Sequence, residues 1–131
     1  RDWLYVRDHC TAVWTIMKNG KKGETYNVGG NHEMENIRIV EIICDLIDAL
    51  PHMSAKPSRR TLITYVKDRL GHDRRYAIDS SKLKKDLGWV PEESFQTGIE
   101  KTLQWYLAHQ AWIDRVRSGA YQEWIREHYE S

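Results

Sequence analysis

The sequence predicts a mostly helical α/β lobe, of the α+β kind, in which short strands accompany several helices. Apolar residues recur every three to four positions over most of the chain, which is the pattern of a helix with one buried face. The runs with strand propensity are short and are not joined as hairpins, and such strands rarely form a sheet on their own. The 131 residues, of which 40% are apolar, suit a single folded domain.

The first part of the chain predicts a strand, a helix and a second strand. Arg1–Val6 has strand propensity, and Asp8 then offers an N-cap for a helix that ends at Asn19-Gly20. Residues 24–28 predict the second strand, which Gly29-Gly30 closes. At the edge of a sheet such a strand needs a partner from elsewhere.

The middle of the chain predicts one helix between a turn and a loop. Asn36 is a good N-cap for an apolar stripe that continues to Leu50, and Pro51 stops the helix. Residues 51–60 are polar and hold two of the three prolines, so they predict a surface loop. Leu62–Val66 predicts a third strand.

The last part of the chain predicts loops and helices. Residues 67–75 are charged and predict a loop, and residues 76–78 a short extended stretch. Ser80 or Ser81 caps a short helix that ends at Leu87-Gly88.

The longest helix is predicted from Ser94, as its cap, to Val116. Ser118-Gly119 breaks it, and a final helix is predicted over residues 121–128.

Charge and composition argue against several classes of protein. The net charge is only +1 and the basic and acidic residues are interleaved, whereas nucleic-acid-binding proteins concentrate positive charge on one face. We therefore expect no nucleic-acid partner. No apolar run is long enough to cross a membrane, and the opening residues do not form a signal peptide.

The two cysteines, Cys10 and Cys44, fall in predicted helices among apolar neighbours and form no Cys-x-x-Cys pair. They are expected to be buried free thiols of a cytoplasmic protein. The histidines are not spaced as metal ligands with either cysteine, so no metal site is expected. Because the chain begins at Arg1 and its first methionine is Met17, we expect it to be part of a longer chain.

The sequence lacks the motifs of a catalytic or cofactor-binding site. It contains no Gly-x-Gly-x-x-Gly, no glycine-rich phosphate loop with lysine, no Tyr-x-x-x-Lys pair and no Gly-x-Ser-x-Gly. Gly29-Gly30 is a pair only and predicts a simple turn after a strand.

The densest polar segment runs from Asp68 to Tyr76 and contains three arginines and His72. A guanidinium group binds phosphate through two parallel hydrogen bonds, and Gly71 lets the backbone approach a ligand. Two interpretations remain open. The segment is either an anion-binding loop or a charged surface loop with local Arg–Asp pairs, each of which stabilises little.

Several stretches occur together in this order along the chain: residues 1–9, 24–30, 68–79, Leu87-Gly-Trp-Val-Pro91, and 118–125. In order and spacing they resemble the second half of the dTDP-glucose 4,6-dehydratase family of extended short-chain dehydrogenases/reductases. The Gly-Trp-x-Pro motif is common to extended nucleotide-sugar enzymes. The stretches 71–79 and 118–125 resemble the thymidine-nucleotide dehydratases in particular.

The resemblance implies that residues 1–131 are the C-terminal nucleotide-sugar-binding domain of such an enzyme, without its Rossmann core. The parent would be an NAD-dependent lyase that converts dTDP-glucose to dTDP-4-keto-6-deoxyglucose in deoxysugar biosynthesis. The family's dinucleotide fingerprint and acid–base residues belong to the N-terminal Rossmann domain, which would be the partner of this chain. The chain alone is therefore expected to hold no catalytic residue, to bind no NAD and to be inactive.

The resemblance also implies four substrate-binding residues. Arg1 and Asn36 match residues that contact the nucleotide part of the substrate. Arg69 and His72 match residues of the loop that closes over the diphosphate. Leu70 stands where the family usually has proline, and this departure should leave the loop more flexible without removing a charge.

Two further interpretations remain open. One is a free-standing module that binds nucleotide sugars or proteins without catalysis. The other is part of a related enzyme, such as a UDP-sugar decarboxylase or epimerase, against which the stretch 71–75 argues. Because loss of a partner domain exposes apolar surface, a dimer or a swapped oligomer is also expected.

Overall fold

The computed structural model describes residues 1–52, 54, 57–68 and 70–119, and the chain divides into two compact units, 1–100 and 101–131. The mostly helical character that the apolar periodicity predicts is confirmed. The helical elements are α1 (Val6–Asn19), α2 (Asn36–Asp48), a 3₁₀ turn (Arg59–Leu62), α3 (Ser81–Leu87), α4 (Phe95–Ala108) and α5 (Gln110–Arg117). None of the helices in the described ranges is both long and apolar enough to span a membrane.

The strands predicted at 1–6, 24–28 and 62–66 do not form. Among the described residues the β pairing is limited to one antiparallel bridge, between Asp2 and Glu33. Residues 24–30 carry no secondary-structure assignment, and Leu62, the first residue of the third segment, is part of the 3₁₀ turn. Strand propensity favours an extended backbone, but a strand also needs a neighbour to complete its hydrogen-bond ladder.

The predicted capping role of Asp8 is wrong. Helix α1 begins at Val6 with Tyr5 at the N-cap position and without a side-chain capping hydrogen bond. Asp8 lies in the first turn, is 3% exposed, and its Oδ2 accepts a hydrogen bond from the backbone N–H of Glu93 at 3.0 Å. A buried carboxylate needs such donors, so a contact distant in sequence replaces the local cap.

Cys10 is exposed on α1 and Cys44 on α2 is partly buried, so the expectation of two buried thiols is wrong for Cys10. Ala12 is the fully buried position of α1. Two residues correspond to about 200° around a helix, which turns Cys10 away from the core.

The core of the first unit forms where α1 and α3 meet. Ala12 and Leu83 are fully buried and Trp89 is 8% exposed. The indole N–H of Trp89 donates to Thr11 Oγ1 at 3.0 Å, which satisfies its buried donor. Gly88 ends α3 in the left-handed conformation, with φ of 71°, and so turns the chain to bring Trp89 onto this core.

Helix α2 begins at Asn36 itself, with Glu35 at the N-cap position, so Asn36 is not the cap that its residue type predicts. Further along this helix, Asp45 and Asp48 fix the 3₁₀ turn. Arg60 Nε donates to Asp45 Oδ1 at 2.7 Å, and Arg59 Nη1 donates to Asp48 Oδ1 at 2.5 Å. These hydrogen bonds lower the pKa of both aspartates.

The single long helix predicted over 94–116 is interrupted at His109, which divides it into α4 and α5. The ring Nδ1–H of His109 donates to the carbonyl of Trp105 at 2.6 Å, while its backbone N–H turns to Tyr106. The side chain thus occupies the acceptor that a continuing helix would use. At the other end, Ser94 Oγ accepts from the N–H of Thr97 at 3.1 Å, as its predicted capping role requires. The final helix predicted at 121–128 lies outside the described residues.

Candidate functional site

A cleft of about 730 Å³ opens in the first unit, between the segment before α2 and the polar segment that the sequence singled out. Of its lining residues only Met34 is apolar, and cations and carboxylates are interspersed among the others. The lining residues are Arg1, Glu33, Met34, Glu35, Asn36, Asp68, His72, Asp73, Arg74 and Arg75.

The cleft exists because the start of the chain pairs with residues 32–34. The backbone nitrogen of Arg1 donates to the carbonyl of Met34 at 3.0 Å, and Met34 N–H donates back to the carbonyl of Arg1 at 3.0 Å. Trp3 N–H donates to the carbonyl of His32 at 3.1 Å. This short antiparallel contact brings Arg1 beside the first residue of α2, Asn36.

Asp2 holds the turn that precedes this contact. Its two carboxylate oxygens accept from the backbone N–H groups of Gly30, at 3.0 Å, and of His32, at 2.9 Å. Each oxygen therefore satisfies a separate donor, and the turn is fastened directly behind Arg1.

The Gly29-Gly30 turn has a packing role. A Cβ at Gly29 would lie 2.5 Å from Asp2 Oδ2, and one at Gly30 would lie 2.2 Å from the carbonyl oxygen of Trp3. The space beside both glycines is thus filled by residues 2 and 3 of this chain. The glycines allow two backbone segments to meet, which leaves no room there for a phosphate.

The guanidinium of Arg1 is held on two sides by the polar segment. Its Nη2 is hydrogen-bonded to Nε2 of His72, and its Cζ lies 4.6 Å from the ring centroid of Tyr76. A cation at that distance from an aromatic face is attracted by the ring quadrupole. The polar segment is therefore folded back over the start of the chain.

Two aspartates support the groups that contact Arg1. His72 Nδ1 is 2.7 Å from Asp68 Oδ1, and the phenol of Tyr76 donates to Asp73 Oδ2. Asp68 is mostly exposed, so the pair adds little to folding stability. Its effect is on the orientation of the imidazole ring.

The two remaining arginines of the cleft differ in their surroundings. Arg75 forms an ion pair with Glu33 across the cleft, with Nε 2.7 Å from Oε2. Arg74 is exposed and makes no ion pair with any of the described residues. Its guanidinium has donors available for an incoming anion.

The structure brings together three of the four residues that the resemblance implies. Arg1, Asn36 and His72 line one cleft, although Arg1 and His72 are 71 positions apart in sequence. Arg69 lies outside the described residues. Whether these side chains bind substrate stays a prediction.

Two carboxylates of the cleft, Glu33 and Glu35, were not anticipated from the sequence. Glu33 and Glu35 are acidic residues beside a cluster of arginines, and they have no motif of their own. Glu33 is paired with the start of the chain by the β-bridge to Asp2. A single bridge leaves no periodic pattern in the sequence, so no sequence signal placed Glu33 near Arg1.

Comparison with known proteins gives a consistent result. A family model for GDP-mannose 4,6 dehydratase matches residues 1–102. The curated dTDP-glucose 4,6-dehydratases of Escherichia coli and Xanthomonas campestris pv. campestris are 55% and 54% identical to this chain, over 130 and 123 residues. These matches cover 99% and 93% of this chain but 36% and 35% of the relatives, so the chain spans about a third of their length.

Solved structures give the same picture. The dTDP-glucose 4,6-dehydratase of Bacillus anthracis in complex with NAD matches with a TM-score of 0.71 and 41% identity. The Streptomyces venezuelae enzyme, with NAD and TYD bound, matches with a TM-score of 0.73 and 32% identity. Each match covers 86% of this chain and 32% of the other, so the described chain has the fold of one part of these dehydratases.

Proposed function

This chain belongs to the GDP-mannose 4,6 dehydratase family, and from that membership we propose that it is the substrate-binding part of a dTDP-glucose 4,6-dehydratase. In this proposal the cleft holds the dTDP moiety of the sugar nucleotide. The parent enzyme would be an NAD-dependent lyase, as the relatives' names and the NAD in the solved structures suggest.

The observation that carries the proposal is the meeting of Arg1, Asn36 and His72 in one cleft. A nucleoside diphosphate needs cationic donors for its phosphates and amide groups for its polar edges. Arg1 and Arg74 supply guanidinium donors, and Asn36 supplies an amide at the first turn of α2. The N-terminal end of a helix also favours an anion, because its backbone N–H groups are unpaired.

The described residues do not fit NAD. Dinucleotide sites of this class need a parallel sheet with a glycine-rich turn at the start of a helix. Among the described residues, the β pairing is one antiparallel bridge, between Asp2 and Glu33. The space beside Gly29 and Gly30 is occupied by atoms of Asp2 and Trp3. In the proposal the dinucleotide is held by another domain of the parent.

For the same reason we propose that this chain alone does not turn over dTDP-glucose. The sequence contains neither the glycine fingerprint nor a Tyr-x-x-x-Lys pair, which hydride transfer in this class requires. Dehydratase activity from the purified 131-residue chain would contradict this part of the proposal.

The proposal is tested by calorimetric titration of the chain with dTDP, with UDP and ADP as controls. We expect selective binding of dTDP that Arg1→Ala weakens and Arg7→Ala leaves unchanged. Arg7 is an exposed arginine of α1 outside the cleft, so it is a matched control for net charge. Arg69→Ala belongs in the same series, since Arg69 is one of the proposed substrate-binding residues.

Other outcomes of the titration would assign other functions. Selective binding of UDP would favour a related nucleotide-sugar enzyme. Binding of all three nucleotides with equal affinity would favour a general anion site, and binding of none would contradict the proposal.

We also propose that the chain associates with itself when it is alone in solution. One side of α1 presents Val6, Val13, Trp14 and Met17, with exposed fractions between 40% and 74%. Exposed apolar patches of this kind tend to drive association. A monomer in sedimentation experiments at high protein concentration would contradict this expectation.

A further inference from the structure

The contacts of His72 with Arg1 and Asp68 ask different roles of its two ring nitrogens. A guanidinium has only hydrogen-bond donors, so the Nε2 atom that faces Arg1 Nη2 must be an acceptor without a proton. The Nδ1 atom faces the carboxylate of Asp68 at 2.7 Å, and a carboxylate accepts, so Nδ1 must carry the proton. Both contacts are satisfied together when the ring of His72 carries its proton on Nδ1 and none on Nε2.

We propose that Asp68 is a positioning residue of the cleft, which holds the proton of neutral His72 on Nδ1 and so leaves Nε2 free to orient Arg1. The proposal deepens the proposed function and rests on it for the role of Arg1 in anion binding. Asp68 itself lines the cleft, and in the proposal it acts on Arg1 through His72.

Two features determine the direction of the Arg1 side chain. The backbone of Arg1 is fixed by its two hydrogen bonds with Met34, so what remains free is the direction of its side chain. On one side the guanidinium lies over Tyr76, and on the other it meets His72. Protonation of His72 at Nε2 would place a donor against a donor and end the second contact.

The other charged groups of the cleft leave the contact between Asp68 and His72 in place. Besides Arg1 and Asp68, the charged residues that line the cleft are Glu33, Glu35, Asp73, Arg74 and Arg75. Asp73 is engaged by the phenol of Tyr76, and Arg75 and Glu33 are paired with each other. Asp68 is the carboxylate in contact with His72 within the described part of the chain.

The role of Asp68 as a positioning residue and its role as a charge predict opposite effects on binding. If Asp68 acted only through its negative charge, its removal would tighten the binding of an anion in the cleft. If it positions His72, its removal weakens anion binding, because Arg1 loses its orientation. Asp68→Asn separates the two, since an amide oxygen still accepts from Nδ1–H but carries no charge.

The first experiment needs no ligand. Nuclear magnetic resonance of histidine labelled with nitrogen-15, recorded where imidazoles are neutral, reports which ring nitrogen carries the proton, and His72→Gln assigns the signals. We expect the Nδ1–H tautomer for His72, its retention in Asp68→Asn, and the appearance of the Nε2–H form in Asp68→Ala. The exposed ring of His32 is the internal control. A wild-type His72 with Nε2–H, or a tautomer that Asp68→Ala leaves unchanged, would overturn the proposal.

The second experiment compares dTDP affinity among the same variants. We expect Asp68→Ala to weaken binding about three- to tenfold, as loss of one positioning hydrogen bond would, and Asp68→Asn to retain wild-type affinity or better. Tighter binding by Asp68→Ala would overturn the positioning role. Failure of the wild-type chain to bind dTDP would contradict the proposed function instead, while the resonance data would still decide the tautomer.

Discussion

Replacement of Asp2 by alanine should destabilise the first unit and misplace Arg1. The carboxylate accepts two backbone hydrogen bonds, from Gly30 N–H and His32 N–H, and it is the side chain that fastens the turn behind the cleft. No substitution at Asp2 changes the lining of the cleft directly, because Asp2 is not one of its lining residues. An effect on binding would therefore come through the turn.

The expected magnitude follows from the two hydrogen bonds. A hydrogen bond to a charged acceptor is worth roughly 1.5–3 kcal/mol, and the bond to His32 N–H is exposed, so its share is at the low end or below. Gly30 is buried, and its N–H would be left with a desolvation cost. We therefore expect Asp2→Ala to lower the free energy of unfolding by about 2–3 kcal/mol. Asp2→Asn keeps one acceptor oxygen and should cost about half as much.

The assay is urea unfolding followed by tryptophan fluorescence, in which a shift of the midpoint at constant slope reports stability. Asp86→Ala, at an exposed position of α3, is the matched control and should change stability by less than about 0.5 kcal/mol. An Asp2→Ala variant as stable as the Asp86→Ala control would refute the reasoning. So would an Asp2→Asn variant less stable than Asp2→Ala.

Three other predictions test the core, the ionic contacts and the cleft. Leu83→Ala should lower stability by about 2–5 kcal/mol in urea unfolding, because Leu83 is fully buried. The hydrogen bond from Arg60 lowers the pKa of Asp45 from its ordinary value of 3.8, so stability present above that pH should be lost as the pH falls below it, and Asp45→Asn should reduce this loss. Arg74→Ala should weaken dTDP binding about tenfold or more in calorimetry, while Arg7→Ala should not.

The sequence predicted the helices better than the strands. The apolar periodicities that predict α1 to α4 are local, since residues three and four apart share a helix face whatever the rest of the chain does. The strand predictions failed because a ladder requires a second segment, and residues 24–28 have strand propensity without a described partner. The break at His109 depends on one side-chain hydrogen bond to Trp105, which periodicity does not record.

The candidate site was predicted from the resemblance to a family and from the density of arginines in the polar segment. The spacing of residues along the chain did not by itself predict the site. The sequence left two interpretations of the polar segment open, an anion-binding loop and a charged surface loop. The structure adds that the segment folds back on Arg1, through His72 and Tyr76, and anion binding by the segment stays a prediction. The role of Asp8 shows the same limit, since its partner is Glu93.

The sequence by itself predicted the helical class and, through its resemblance, the family and three of the residues that line the cleft, Arg1, Asn36 and His72. These properties depend on residue type and on spacing along the chain, which a sequence contains in full. The tertiary structure alone decided that Arg1 contacts His72, 71 positions away, and that Asp68 faces the other ring nitrogen. Contacts over such separations arise from the packing of whole segments, because no local preference of the chain fixes the direction in which two distant side chains meet.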